Sequence, residues 1–125
     1  MSVASTTSPA PPTLLVACLC AQWCGTCRDY GVVLEQVRQR FGAAVKVIFV
    51  DIEDDDAWLD GVEVENFPTV LIAAGAAVLF FGVITPQPQT LTRLVTGALA
   101  GDLRPSSIEP GIAELAQRLH RFGQA

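Results

Sequence analysis

The spacing of apolar residues changes along the chain, and each change marks an element. Leu14 to Cys20 is an unbroken apolar run, the pattern of a strand buried on both faces. From Cys24 to about Arg40 the period becomes helical, with Tyr30, Val33, Leu34, Val37 and Phe41 on one side and Gly42 as the stop. Val45 to Asp51 is a second apolar strand, too continuous for an exposed edge. Residues 53–61 read as a short acidic helix closed by Gly61. Two strands, 69–73 and 76–81, flank Gly75 as a hairpin. Pro88 to Ala100 is amphipathic and helical. A last helix spans 106–122, where Ile108, Ile112, Leu115, Leu119 and Phe122 recur at helical spacing; Pro110 fits because it falls near the first turn.

The elements therefore run β-α-β-α-β-β-α-α. The opening β-α-β unit requires a parallel pair, and the hairpin adds antiparallel strands. The expected architecture is α/β: a four-stranded mixed sheet with helices on both faces. At 125 residues, half of them hydrophobic, the chain fits one domain with a real core. Residues 1–13, rich in Ser, Thr, Ala and Pro, read as a disordered leader. The domain proper is expected over 14–100, and 101–125 as a C-terminal extension whose one helix packs on it. The net charge of −5 speaks against a nucleic-acid partner and against an anionic membrane surface. The residues before Cys18 resemble a lipoprotein cleavage site, but no Lys or Arg precedes them and the apolar run is short. No run reaches the length of a membrane span, and a cytoplasmic location is expected.

The four cysteines change the picture. They stand at 18, 20, 24 and 27, too close together to staple a domain, and so point to chemistry or metal binding. A C-x-x-C pair also occurs in zinc sites. Here it follows a buried strand and opens a helix, which places Cys24 at a helix N-terminus, where unpaired N–H groups and the helix dipole favour a thiolate. Cys27, one turn in, is placed to attack a mixed disulfide formed at Cys24. Trp23 shields the loop and Gly25 lets it turn tightly. Cys18 and Cys20 are two apart on a strand and share a face, a candidate for the face beneath Cys27. They read first as small buried hydrophobes. A reserve thiol or second redox pair is the sharper alternative, and a four-cysteine metal site is disfavoured because two members sit mid-strand. No metal or other cofactor is expected.

The segment Ala21-Gln22-Trp23-Cys24-Gly25-Thr26-Cys27 resembles the active site of thioredoxins, and Asn66-Phe67-Pro68-Thr69 resembles that family's cis-proline loop. The hairpin with Phe81-Gly82 is similar to the family's last two strands, so that the likeness covers roughly residues 14–100. The resemblance implies a thioredoxin-like fold lacking the first strand and helix and carrying an extra C-terminal helix. It implies a thiol–disulfide oxidoreductase in which Cys24 is the nucleophile, Cys27 the resolving thiol and Cys24–Cys27 the disulfide. Pro68 would be cis and face the disulfide, with Trp23 and the Phe67 backbone meeting substrate. Protein disulfides and an unidentified reductase would be the partners of a monomer or weak homodimer.

The chain also departs from that pattern. Where thioredoxins carry a buried Asp, five positions before the Trp, this chain has Cys18; their next Trp is Cys20, and their buried Lys aligns with Phe49. Thr26 replaces the usual Pro. Loss of both buried charges together is coherent, since one alone would be costly, but it leaves Cys27 without its usual proton acceptor. The lost charges lend some weight to a second function, a partner-binding module with little redox turnover. Without a first strand, the strand at 45–51 becomes an edge that needs cover, and the helix at 106–122 is the candidate. His120 reads as a surface histidine, and eight of the 13 acids fall between Asp51 and Glu65 as a solvated run suited to basic partners.

Overall fold

Every residue of Leu14–Cys20 is buried, and this strand, β1, is the centre of the molecule. The computed structural model describes residues 14–21, 24–59, 62, 64, 68–74, 77–85, 87–103 and 110–121. Beside β1 lies β2 (Val45–Asp51), parallel and in register from Leu14 opposite Val45 to Cys20 opposite Asp51. On its other side lies β3 (Thr69–Ala74), antiparallel, followed by β4 (Ala77–Val83), so the order is β2-β1-β3-β4. Four helices complete the described chain: α1 (Gly25–Phe41), α2 (Asp56–Leu59), α3 (Pro88–Leu99) and α4 (Pro110–His120), with a 3-10 turn at Gly42–Ala44.

Strand alternation divides β1 between two cores. Leu14, Val16, Cys18 and Cys20 face α1 and α3, packing with Tyr30, Val33, Leu34, Val37, Leu91 and Val95. Leu15, Ala17 and Leu19 face the other way and are covered by Leu59 of α2 and by Ile112, Leu115, Ala116 and Leu119 of α4. Gly42 ends α1 at φ 57°, a left-handed conformation that glycine adopts without a Cβ penalty. In β4 the pairing shifts between Ile72 and Ala73, so Leu79 is an extra residue, and Leu79 and Phe80, though adjacent, both pack on the first core.

Two expectations change. The acidic helix begins at Asp56, because Asp51 Oδ1 accepts the N–H groups of Glu53 (2.8 Å) and Asp54 (3.1 Å) and holds a turn there instead. Its proposed stop, Gly61, and the leader 1–13, Gly75 and residues 106–109 lie outside the described residues. Among the described strands β2 is the outermost, and α4 packs on a face of the sheet, against Ile48 and Val50 of β2 as well as β1. Two charged side chains tie β2 to its neighbouring helices through backbone carbonyls. Arg38 of α1 donates Nη2 to the carbonyl of Val47 at 3.0 Å, and Lys46 donates Nζ to the carbonyl of His120 at 2.5 Å.

Candidate active site

Topology brings three segments to one end of the sheet. Parallel β1 and β2 finish together, and the carbonyl of Cys20 accepts the N–H of Ile52 at 2.9 Å. Antiparallel β3 begins there, with Thr69 opposite Leu19, which places buried Pro68 at the same end. Its carbonyl accepts the N–H of Ile84 at 3.2 Å, tying it to the end of β4. The chain leaves β1 through a turn in which the Cys24 N–H donates to the carbonyl of Ala21 at 3.0 Å. Cys24 is the N-cap of α1, in extended conformation, and its side chain makes no capping hydrogen bond.

The sulfurs divide by depth. Cys27 is fully buried and begins the apolar stripe of α1 that continues through Tyr30, Val33, Leu34 and Val37. Directly beneath it is Cys20, also fully buried, and the two form a disulfide with 5.8 Å between their Cα atoms, inside the usual range of about 4.4–6.8 Å. Cys24 is a half-buried free thiol. The expected Cys24–Cys27 disulfide is thus replaced in this structure by Cys20–Cys27. The reason is geometric: alternation along β1 turns Cys20 toward α1, and the inward face of α1 turns Cys27 toward the sheet. Cys20 is accordingly more than a small core residue. Cys18, on the same face, is a buried free thiol, and burial pushes its pKa up to about 12. It stays protonated at neutral pH and cannot serve as the proton acceptor for Cys27.

Tyr30 is a residue the sequence assigns to packing alone. Its hydroxyl is buried without a hydrogen-bond partner among the described residues, and burial, with a smaller contribution from Cys18, raises its pKa. The signal available was its place three residues after Cys27 on the apolar stripe. Thr26 is exposed at the first turn. Gly25 has no left-handed backbone, and a Cβ there would meet only Arg28 Nη2 at 3.9 Å, an ordinary contact, so the turn does not require glycine. Trp23 and Phe67 lie outside the described residues. His120 is half-buried rather than a free surface group, and it sits on α4, whose apolar residues cover the opposite face of the sheet. Among the described residues no three His, Cys, Asp or Glu side chains are grouped to hold a metal. No helix among them is long and apolar enough to cross a membrane.

A strand, a turn with C-x-x-C, a helix and a proline at the start of the antiparallel strand are the parts the thioredoxin resemblance requires, and the thioredoxin family model matches residues 8–87. The chain belongs to the thioredoxin family. Thioredoxin from Listeria monocytogenes is 35% identical over 52 residues, 42% of this chain and 50% of that protein. Thioredoxin from Bacillus subtilis is 28% identical over 75 residues, 60% of this chain and 72% of that protein. The chain thus spans about half the length of the Listeria relative. Among solved structures, thioredoxin from Trypanosoma brucei brucei is similar at a TM-score of 0.62 and 26% identity, covering 79% of this chain and 87% of that one. Fasciola hepatica thioredoxin gives 0.61 at 21% identity, covering 69% and 81%, and so speaks for the fold.

Proposed function

We propose that the chain is a thiol–disulfide oxidoreductase that reduces protein disulfides through Cys24. The observation that carries this is a free, partly exposed thiol at the N-cap of α1, three residues before a buried cysteine already engaged in a disulfide. In the reduced chain, the Cys24 thiolate attacks one sulfur of a substrate disulfide and the other substrate sulfur leaves as a thiolate. Cys27 then attacks Cys24 Sγ, the second substrate sulfur leaves, and Cys24–Cys27 forms. Two electrons pass to the substrate, and a partner dithiol reductase returns them. Pro68 in the cis form and the Phe67 backbone would align the substrate chain, with Trp23 at the rim. These roles and a cytoplasmic, reducing setting extend the family likeness.

Disulfide reduction with a small dithiol as electron source tests the proposal. Cys24→Ser should lower turnover by at least about a hundredfold, since exchange needs the attacking thiolate. Equal rates for the two proteins would overturn the enzyme reading and leave a binding module.

A further inference from the structure

We propose that Cys20 is a third exchange thiol, so that the chain holds its disulfide in two isomers, an outer Cys24–Cys27 and an inner Cys20–Cys27. The inference extends the exchange chemistry proposed above and rests on it. Cys27 has two partners within reach. Cys20 lies beneath it, 5.8 Å away between Cα atoms. Cys24 lies three residues earlier, at the start of the same helix, where residues three apart share a face. One sulfur is therefore common to both bonds.

Conversion is an internal exchange. From the inner isomer, the Cys24 thiolate attacks Cys27 Sγ, the Cys27–Cys20 bond breaks, and Cys20 leaves as a thiolate that takes up the proton Cys24 gave up. One S–S bond forms and one breaks, no electrons enter or leave, and no further reactant is needed. The two isomers differ in what they present. Cys20 and Cys27 are both fully buried, so neither sulfur of the inner bond meets an outside thiol. Electrons reach it only by way of Cys24. In the inner isomer Cys24 is also an unpaired nucleophile with no reduced Cys27 behind it. It can attack a substrate disulfide, but the mixed disulfide then persists, because the resolving sulfur is occupied. Oxidation to the inner isomer thus converts a two-thiol reductase into a one-thiol trap. Cys18 takes no part, being buried and protonated.

Two-label alkylation decides this. All four cysteines precede Arg28, the first basic residue, so one tryptic peptide carries them and fragmentation must assign the labels by site. The oxidised full chain is quenched in acid, denatured, blocked with one reagent, reduced, and labelled with a second. The expected result is the first label on Cys18 and Cys24 and the second on Cys20 and Cys27 in a substantial share of molecules. In Cys20→Ala, first-label occupancy of Cys24 should fall at least about tenfold, because Cys27 then has only Cys24 to pair with. First label on Cys20 in all wild-type molecules overturns the proposal, and that reading needs no variant to fold. It also leaves the oxidoreductase assignment standing if Cys24→Ser abolishes turnover, so the two failures are distinct.

Discussion

At the scale of single residues, the four sulfurs of the first core differ in burial and in bonding, and these set their chemistry. Cys18 is the clearest case. Below about pH 9 its thiol is neutral in both the folded and unfolded chain and adds no pH dependence. Above that, only the unfolded chain ionises it, until the folded thiol follows near 12. Its folded pKa is raised, so stability is lost as pH rises through this window. Urea unfolding of the oxidised protein should lose about 2–3 kcal/mol between pH 8 and 11 from this group. Cys18→Ala should remove the part of the fall that starts near pH 9. The raised Tyr30 pKa acts in the same direction from about pH 10. Native protein at pH 8 should accept an alkylating reagent at Cys24 and refuse it at Cys18 until denatured, as read by mass. The sequence showed that Cys18 and Cys20 share a face. It could not show which of them lies under Cys27, because that depends on how far along β1 the helix α1 sits, a matter of packing rather than pattern.

At the scale of elements, periodicity located β1, α1, the hairpin and α3 because each buries a continuous stripe, and Gly42 marked the end of α1 because only its backbone turns left-handed there. The acidic segment was less legible. Its start is set by one carboxylate, Asp51, accepting two N–H groups, and composition does not reveal which acid turns inward. Its end is held from outside. Arg118 of α4 donates Nε to the carbonyl of Trp58 at 2.8 Å and Nη2 to that of Leu59 at 3.1 Å, satisfying the last carbonyls of the short helix α2. A helix of four residues has little stability of its own. Arg118→Ala should therefore cost about 1–2 kcal/mol, with faster amide exchange concentrated at Trp58 and Val62. An effect spread evenly over the sheet would show that the guanidinium acts elsewhere.

At the scale of the whole molecule, the sheet carries its acids and its sulfurs at one end. Cys20 stands opposite Asp51, and the acidic turn leaves β2 from that point. Exchange with a basic protein disulfide should slow about three- to tenfold between 0.05 and 0.5 M salt, while an acidic substrate should not slow; stopped-flow reduction rates check this. The fold class was readable because the order of elements permits few topologies. The polar ties of β2 were not, because they run from Arg38 of α1 to the Val47 carbonyl and from Lys46 to the His120 carbonyl of α4, and no apolar stripe announces them. The closing of the second face by α4 also has a temporal side. Leu15 and Leu19 leave the ribosome early, yet Ile112, Leu115 and Leu119, which shelter them, are made roughly 100 residues later. At translation speeds of about 5–20 residues per second, that apolar surface waits on the order of 5–20 s for its partner. A nascent chain halted at residue 103 should bind hydrophobic dyes and chaperones that the released protein no longer recruits.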